Sequence, residues 1–196
     1  MPSIPTIYQI TPEPPDPPDC AQFLQELSVT LASGIRLVQF RAKALQRSEH
    51  LQVARLALAI CRAHGAKLIF NGSTEMAQEA GCDGVHLNSQ ALMSCKKRPA
   101  PCNFLVSAAC HDAMQIAQAE KTGVDFITLS PVFATKTHPE AVPMGWERFK
   151  ALATGAPVPI FALGGMRPDL VEDAQRNGAW GIAAISATWR KTPSAQ

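Results

Sequence analysis

The sequence predicts a (β/α)₈ barrel, the TIM-barrel architecture, as a single domain over residues 1–196 with its last helix truncated. Eight short apolar segments rich in β-forming residues alternate with seven segments of helical spacing, which is typical of a parallel barrel. A hydrophobic content of 46% and a charged content of 17% fit one globular domain with a substantial core. Only residues 187–196 follow the last predicted strand, and they are too few for a full eighth helix.

The first half of the chain contains four strand–helix units. A proline-rich segment, PEPPDPPD, follows the first strand and must be an exposed loop, because proline can neither pair within a sheet nor continue a helix. Asp19 is a candidate N-cap for the first helix, which Gly34 ends, and Ser48 is a candidate N-cap for the second, which Gly65 ends. The predicted strands are 6–11, 35–42, 67–72 and 84–88, and the predicted helices run to about 33, to 64, over 74–80 and over 90–96.

The stretch FLVSAACHDAMQIAQAEKTGVDFITLSPVFATKT, residues 104–137, organises the second half. It predicts a strand, a helix ended by Gly123 and a second strand. A parallel β-α-β unit brings the carboxyl ends of both strands to one edge of the sheet, so we expect the functional groups at this edge. The remaining predicted elements are a helix at 146–153, a strand at 159–165, a helix at 170–177 and a strand at 181–186.

Composition excludes several classes of function. A net charge of +2 without a lysine/arginine block argues against nucleic-acid binding, and no apolar run approaches the length of a membrane-spanning helix. The N-terminus lacks the features of a signal peptide, so we expect a cytoplasmic protein. The six cysteines have no paired or metal-binding spacing, so we expect small buried apolar residues and no zinc site.

Three polar residues alternate at the end of the second strand, Gln39, Arg41 and Lys43, and therefore point to the same side. Charged residues that point into a barrel need partners, which favours binding of an anionic substrate group at the barrel mouth. The alternative is structural, with Arg41 in a salt bridge to an interior carboxylate. Further candidates at strand ends are Asn71, His86, Asn88, Ser130, Thr135, Thr137 and His138.

The segments ALGGM and AAIS end the seventh and eighth strands and predict a phosphate site at Gly164, Gly165 and Ser186. The loops after these two strands commonly hold phosphate in this architecture, because glycine lets backbone N–H groups approach an anion. The alternative is a tight turn in which the glycines serve only a positive φ.

Histidines supply the candidate for proton transfer. His111 directly follows the fifth strand and can act near neutral pH as a general acid or base, although it could also be a helix-capping or surface residue. Alternation turns His86 inward, where we expect a hydrogen-bonded core histidine. His50 and His64 lie on the second helix and are expected to be solvated. Cys110 adjoins His111, but no neighbouring residue lowers its pKa, so we do not expect a nucleophile.

The missing eighth helix leaves apolar surface between the first and seventh helices. We expect this groove to be covered by a second subunit, which predicts a homodimer, or by a packed tail. The alternative is that residues 187–192 form one helical turn and cover it.

A series of motifs, in order and one per strand, resembles the thiamin phosphate synthase/TenI family. The motifs are VQFRAK, LIFNG, GCDGVHL, GVDFITLSPVFATKTH, GW, PIFALGGM and GIAAIS, and the resemblance covers the chain from Tyr8 to Trp189. The combination of ACHD, THP and PMGW is most similar to the barrel that forms the C-terminal half of proteins beginning with a Nudix hydrolase domain. No Nudix box is present in this sequence.

The resemblance implies ligands of thiamin assembly: a thiazole phosphate and, in the synthase, a pyrimidine diphosphate that is coupled to it with loss of pyrophosphate. It implies that Gln39, Arg41 and Lys43 hold the diphosphate. It further implies that Thr135 and Thr137 touch the pyrimidine or the thiazole, and that Gly165 and Ser186 bind the thiazole phosphate.

The sequence departs from the synthase pattern where the synthase holds Mg²⁺. The aspartates that follow strands three and four in the synthase are Gly72 and Ala91 in this chain. The serine before the strand-five histidine is Ala109, and the lysine of the loop after strand six is His138. Charge neutralisation of a departing diphosphate normally uses Mg²⁺, and a site without both carboxylates should bind the metal poorly.

Three functions stay open at this point. Asn71-Gly72 resembles the TenI branch, which needs no metal or other cofactor and moves a proton on a thiazole phosphate, and His111 would then be the acid/base group. The second function is a synthase whose Mg²⁺ is held by other residues. The third is an inactive module that binds a phosphorylated ligand and works with a separately encoded Nudix hydrolase.

Overall fold

In a computed structural model, which describes residues 4–15, 20–135 and 140–192, eight parallel strands close into a barrel in sequence order. The predicted fold class is therefore confirmed. Strand β8 pairs with β1, with Tyr8 opposite Ala183 in the register. The strands are β1 (Ile7–Ile10), β2 (Leu37–Phe40), β3 (Lys67–Asn71), β4 (Gly84–Leu87), β5 (Leu105–Cys110), β6 (Phe126–Leu129), β7 (Ile160–Leu163) and β8 (Gly181–Ala184).

Within the described residues, an α-helix follows each of the first seven strands, and Pro168–Leu170 forms a 3₁₀ turn before the last of these helices. Gly123 ends its helix in the left-handed conformation, as the sequence predicts. Ser48 is not an N-cap, because the helix begins at Arg47 and Glu49 accepts a hydrogen bond from the Gln46 backbone. The helices are α1 (Cys20–Ala32), α2 (Arg47–Ala63), α3 (Thr74–Glu79), α4 (Ser89–Ser94), α5 (Ala113–Thr122), α6 (Gly145–Ala153) and α7 (Val171–Arg176). The proposed cap Asp19 lies outside the described residues.

The barrel interior is filled by alternate residues of the strands. The Tyr8 ring packs edge-on against Phe126 at 5.2 Å between centroids and against Phe161 at 5.6 Å. Gly84 is required at this level, since a Cβ there would lie 2.5 Å from the Leu105 carbonyl oxygen. The three aromatic rings form an apolar layer inside the barrel, with Ile10, Leu37, Ile69 and Ala183.

A larger apolar cluster lies between the sheet and the helices, and it includes an unexpected histidine. His50 was expected to be solvated, but only 9% of it is exposed. Its ring stacks on Phe70 at 4.4 Å and contacts Phe40 edge-on at 5.4 Å. The expectation was wrong because position 50 lies on the inward face of α2. Burial lowers the pKa of this imidazole, and the nearby Glu13 charge raises it in part.

The chain after β8 packs against α1. The Trp189 ring stacks on Phe23 at 5.3 Å, and its indole N–H donates to the Glu26 carboxylate at 2.7 Å. The Arg190 backbone N–H donates to the Thr30 hydroxyl at 2.9 Å. No helix is assigned over residues 185–192, where the chain makes a turn at 186–188, so the truncated last helix is confirmed. A packed tail covers α1 in the described part of the chain.

Asp125, just before β6, links two strands at the amino end of the barrel. Its carboxylate accepts from the Val106 backbone N–H and pairs with Arg98, both at 2.7 Å. We expect Asp125→Ala to lower the unfolding free energy by about 2 kcal/mol, because it leaves the Val106 N–H without its acceptor and removes the only charged one of the Arg98 guanidinium's three acceptors in the described residues. Urea denaturation measures this loss. The control is Asp169→Ala, whose pair with Arg167 is exposed, and its loss should stay under about 0.5 kcal/mol. Equal losses in both variants would contradict the prediction.

Candidate active site

A cavity of about 690 Å³ opens at the carboxyl ends of the strands. The structure brings most of the predicted site residues to its wall. Those that line it are Gln39, Arg41, Lys43, Asn71, His86, Asn88, His111, Ser130, Thr135, Gly164, Gly165 and Ser186. Thr137 and His138 lie outside the described residues.

The predicted phosphate site forms one wall of the cavity. Gly164 and Gly165 have φ angles of +103° and +69°, so both adopt conformations that favour glycine. The loop after β6 lies directly against them: the Val132 N–H donates to the Leu163 carbonyl at 2.9 Å, and the Phe133 N–H donates to the Gly164 carbonyl at 3.1 Å. Both glycines therefore have a positive φ, and the loop after β6 lies close to their backbone. The alternative of a tight turn is compatible with a phosphate site at the same residues.

Three polar residues, one in β2 and two just after it, face the cavity in three different states. Gln39 is buried and hydrogen-bonded to Tyr8 and Asn71. The Arg41 guanidinium pairs with the Glu13 carboxylate at 2.9 Å, and Lys43 is exposed. The partner of Arg41 is thus a carboxylate of the proline-rich loop instead of the interior carboxylate of the structural alternative, and it also accepts from the Ala44 N–H at 2.8 Å. Lys43 is left as the exposed cation of the three.

Glu13 therefore competes with any anionic ligand for Arg41. We expect Glu13→Gln to raise the affinity for inorganic pyrophosphate several-fold at low salt, because the amide keeps the acceptor for Ala44 but removes the charge that neutralises the guanidinium. Isothermal titration calorimetry measures this affinity. Glu79→Gln is the control, because Glu79 pairs with the exposed Arg47 instead. Unchanged or weaker binding in Glu13→Gln would show that Arg41 does not meet the ligand.

His111 is held with one nitrogen available for chemistry. Its Nδ1 lies 2.8 Å from the Ser130 carbonyl oxygen, which can only accept, so Nδ1 carries the proton in the neutral ring. Nε2 then holds the lone pair that a general base needs. The N-cap of α5 is Asp112, which accepts from the Gln115 N–H at 2.8 Å. The alternative that His111 caps this helix is therefore wrong.

His86 is turned inward and hydrogen-bonded, as the alternation predicted. Its Nδ1 lies 2.9 Å from the Ser107 hydroxyl, and burial lowers the pKa of the ring to about 3, so it is neutral at pH 7. Tyr8 and Ser107 complete this polar region and were missed from the sequence, because a tyrosine and a serine within apolar strands carry no local signal of function. Cys110 is buried, and burial raises the pKa of its thiol to about 12, which agrees with its exclusion as a nucleophile.

The residues present do not fit Mg²⁺ held by carboxylates. The two aspartate positions of the synthase pattern are Gly72 and Ala91, and the described part of the chain contains no group of three His, Cys, Asp or Glu residues that could hold a metal. A Cβ at Gly72 would lie 2.7 Å from the Phe70 ring, so a carboxylate there would require that ring to move.

Among the described residues, no helix is both long and apolar enough to cross a bilayer.

Comparison with known proteins shows the family of this chain. The family model described as thiamine monophosphate synthase matches residues 7–188. A putative thiamine-phosphate synthase 2 of Aquifex aeolicus is 38% identical over 93% of this chain and 97% of its own length, and a putative thiamine-phosphate synthase of Geobacter sulfurreducens is 35% identical over 80% and 75%. A solved thiamine phosphate pyrophosphorylase from Pyrococcus furiosus shares the fold, with a TM-score of 0.74, 22% identity and coverage of 93% of this chain and 86% of that one. The chain belongs to the thiamine monophosphate synthase family.

Proposed function

We propose that this protein is a thiamine-phosphate synthase, which couples a pyrimidine diphosphate to a thiazole phosphate and releases pyrophosphate. The observation that carries the proposal is that one cavity is lined by two candidate anion-binding regions, one at Gly164 and Gly165 and one at Arg41 and Lys43. A reaction between two phosphorylated substrates needs two such regions. The relatives named as thiamine-phosphate synthases, one of them matched over 97% of its length, support the same function.

In this proposal the backbone of Gly164 and Gly165 and the Ser186 hydroxyl hold the thiazole phosphate. Lys43 and Arg41 hold the diphosphate and offset the negative charge that grows on it as its bond to the pyrimidine side breaks and the bond to the thiazole forms. Stabilisation of this leaving group by fixed cations is electrostatic, and it needs no proton transfer.

A second candidate is proton transfer on a thiazole phosphate, as in the TenI branch. The observations that favour it are glycine and alanine at the two carboxylate positions, and His111 with Nδ1 bonded to the Ser130 carbonyl. This reaction needs one phosphate anchor and one general base, and both line the cavity.

The two functions differ in their products. The purified protein is incubated with both substrates, with Mg²⁺ and separately with a chelator, and pyrophosphate and thiamine phosphate are quantified. Formation of both products, lowered at least about tenfold in Lys43→Ala, supports the synthase. Absence of both products, with aromatisation of a thiazole phosphate tautomer that His111→Ala lowers by about 10²-fold or more, would overturn the synthase in favour of the second candidate. Arg167→Ala, in an exposed pair with Asp169, is the control for both assays.

A further inference from the structure

The loop after β8 is anchored differently from the other loops at the carboxyl ends of the strands. In the described residues, an α-helix follows each of the first seven strands, so each of those loops is held between a strand and a helix. Strand β8 is followed instead by a turn at residues 186–188, which we call the β8 turn, and by a tail without regular secondary structure over residues 189–192. Ser186 and Ala187 line the cavity, so the β8 turn contributes to the candidate phosphate site without a helix behind it.

A side chain of β1 holds the near end of the β8 turn. Tyr8 and Ile10 lie in the interior layer, so alternation places Gln9 on the outer face of the sheet, where β1 pairs with β8. Its Nε2 donates to the Ile185 carbonyl at 2.8 Å and to the Ile10 carbonyl at 2.6 Å. Both partners are carbonyl oxygens, which only accept, so the nitrogen of the amide must face them. Gln9 therefore fixes the backbone directly before Ser186.

The orientation of the Gln9 amide is unfavourable for the core itself. The side chain is fully buried, and its Oε1 has no hydrogen-bond partner among the described residues. An unpaired buried acceptor destabilises a folded protein, so an apolar side chain of similar length would pack at this position at least as well. The glutamine is therefore better explained by its hydrogen bond to the chain before the β8 turn than by packing.

The tail holds the far end of the β8 turn. Trp189 directly follows the turn and is buried against α1, where its ring stacks on Phe23 at 5.3 Å. Its indole N–H donates to the Glu26 carboxylate at 2.7 Å, and the Arg190 backbone N–H donates to the Thr30 hydroxyl at 2.9 Å. A buried hydrogen bond to a carboxylate is charge-assisted and stronger than one between neutral groups. The tail thus occupies the place of a helix as the second anchor.

We propose that Gln9 and Trp189 are positioning residues that pre-form the β8 turn for phosphate, in place of an eighth helix. The turn is three residues long and both ends are tied to β1 and α1, so the Ser186 hydroxyl and the backbone N–H groups of the turn have little freedom to move. A pre-formed turn loses less conformational entropy when it binds an anion, which strengthens binding without an added contact. Among the residues that the structure describes, neither anchor lines the cavity. This role rests on the proposed function only in assigning the β8 turn to the phosphate site.

Inorganic phosphate is the probe for the first anchor, and the backbone amide signal of Ser186 in NMR titrations of the full chain reports its binding at the turn. Gln9→Met keeps the length of the side chain but removes the donor together with the unpaired oxygen. We expect phosphate binding to weaken about three- to tenfold, while the midpoint of urea unfolding stays within about 0.5 M of that of the parent. A lower midpoint with unchanged phosphate affinity would show a structural glutamine and overturn its positioning role.

The second anchor is tested with a matched pair of tryptophan variants. Trp189→Phe keeps a ring to stack on Phe23 but removes the N–H, and it should also weaken phosphate binding about three- to tenfold. Trp180→Phe is the control, because the Trp180 indole donates to the Ile4 carbonyl at 2.9 Å, at the amino end of the barrel. This control should retain the affinity within about twofold, as should Glu26→Gln, which keeps an acceptor for the indole. Equal affinities in Trp189→Phe and Trp180→Phe would overturn the role of the tail.

These titrations involve no turnover, so they separate the anchors from the proposed function. Weaker phosphate binding in both anchor variants of a protein that releases no pyrophosphate would remove the synthase and leave the positioning role. Pyrophosphate release by the parent, with unchanged phosphate affinity in both variants, would do the reverse. A Ser186 amide signal that does not respond to phosphate in the parent would overturn the role of the β8 turn.

Discussion

Replacing Gly164 with alanine is expected to weaken binding of a thiazole phosphate by about 10- to 100-fold and to lower the unfolding free energy by about 2–4 kcal/mol. Position 164 has a φ of +103°, which strains any other residue, and a Cβ there would lie 2.9 Å from the Val132 backbone nitrogen. The new methyl group must therefore push the loop after β6 away from β7. That movement would displace the backbone N–H groups proposed to hold the phosphate.

Calorimetry of ligand binding and urea denaturation measure the two effects. Gly155→Ala is a matched control, because Gly155 also has a positive φ, of +81°, but a Cβ there would meet nothing within 4 Å. It should lose about 1 kcal/mol of stability and no affinity. Unchanged phosphate affinity in Gly164→Ala would place the anion site elsewhere.

The unfolding free energy is expected to fall as the pH drops below about 6.5, and His86 should be the main histidine responsible. A histidine in the unfolded chain titrates near pH 6.5, whereas burial lowers the folded pKa of His86 to about 3. The unfolded state then binds more protons between these values, so stability is full above pH 6.5 and is lost as the pH falls towards 3. The slope is about 1.4 kcal/mol per pH unit for one such group, which amounts to several kcal/mol over the window. His50 adds a loss in the same direction.

Urea denaturation at pH 7.5, 6 and 5 tests this dependence, in a range where few carboxylates titrate. His86→Gln removes the titrating group and retains an amide that can bond to Ser107. Its slope between pH 6 and 5 should be shallower than that of the parent by about 1 kcal/mol per unit. Identical slopes in the two proteins would show that His86 is protonated in the folded state as readily as in the unfolded chain.

The order and type of the elements could be predicted because they depend on short-range features. Apolar runs define the strands, and glycines such as Gly123 end helices by their own backbone freedom. Element ends were less predictable: Ser48 looked like a cap, but the helix begins at Arg47, since neighbouring side chains compete for the same backbone groups. Position along a strand also identified the cavity residues in advance, because every carboxyl end of a parallel barrel meets at one face.

The partners of these residues could not be predicted from the sequence. Glu13 reaches Arg41 only through the path of a proline-rich loop, and His50 became buried because α2 turns that face towards Phe40 and Phe70. Both contacts join residues distant in the chain, and local periodicity contains no information on them.

By itself, the sequence determined the barrel, its truncated end and the chemical types gathered at the strand ends, because alternation and composition act within a few residues. Only the tertiary structure decided which of those groups are neutralised, buried or free to meet a ligand. It also brought Tyr8 into hydrogen-bond contact with Gln39, and Ser107 with His86, inside the barrel. The physical reason is that charge pairing, desolvation and hydrogen-bond direction depend on neighbours brought together when β1 closes against β8.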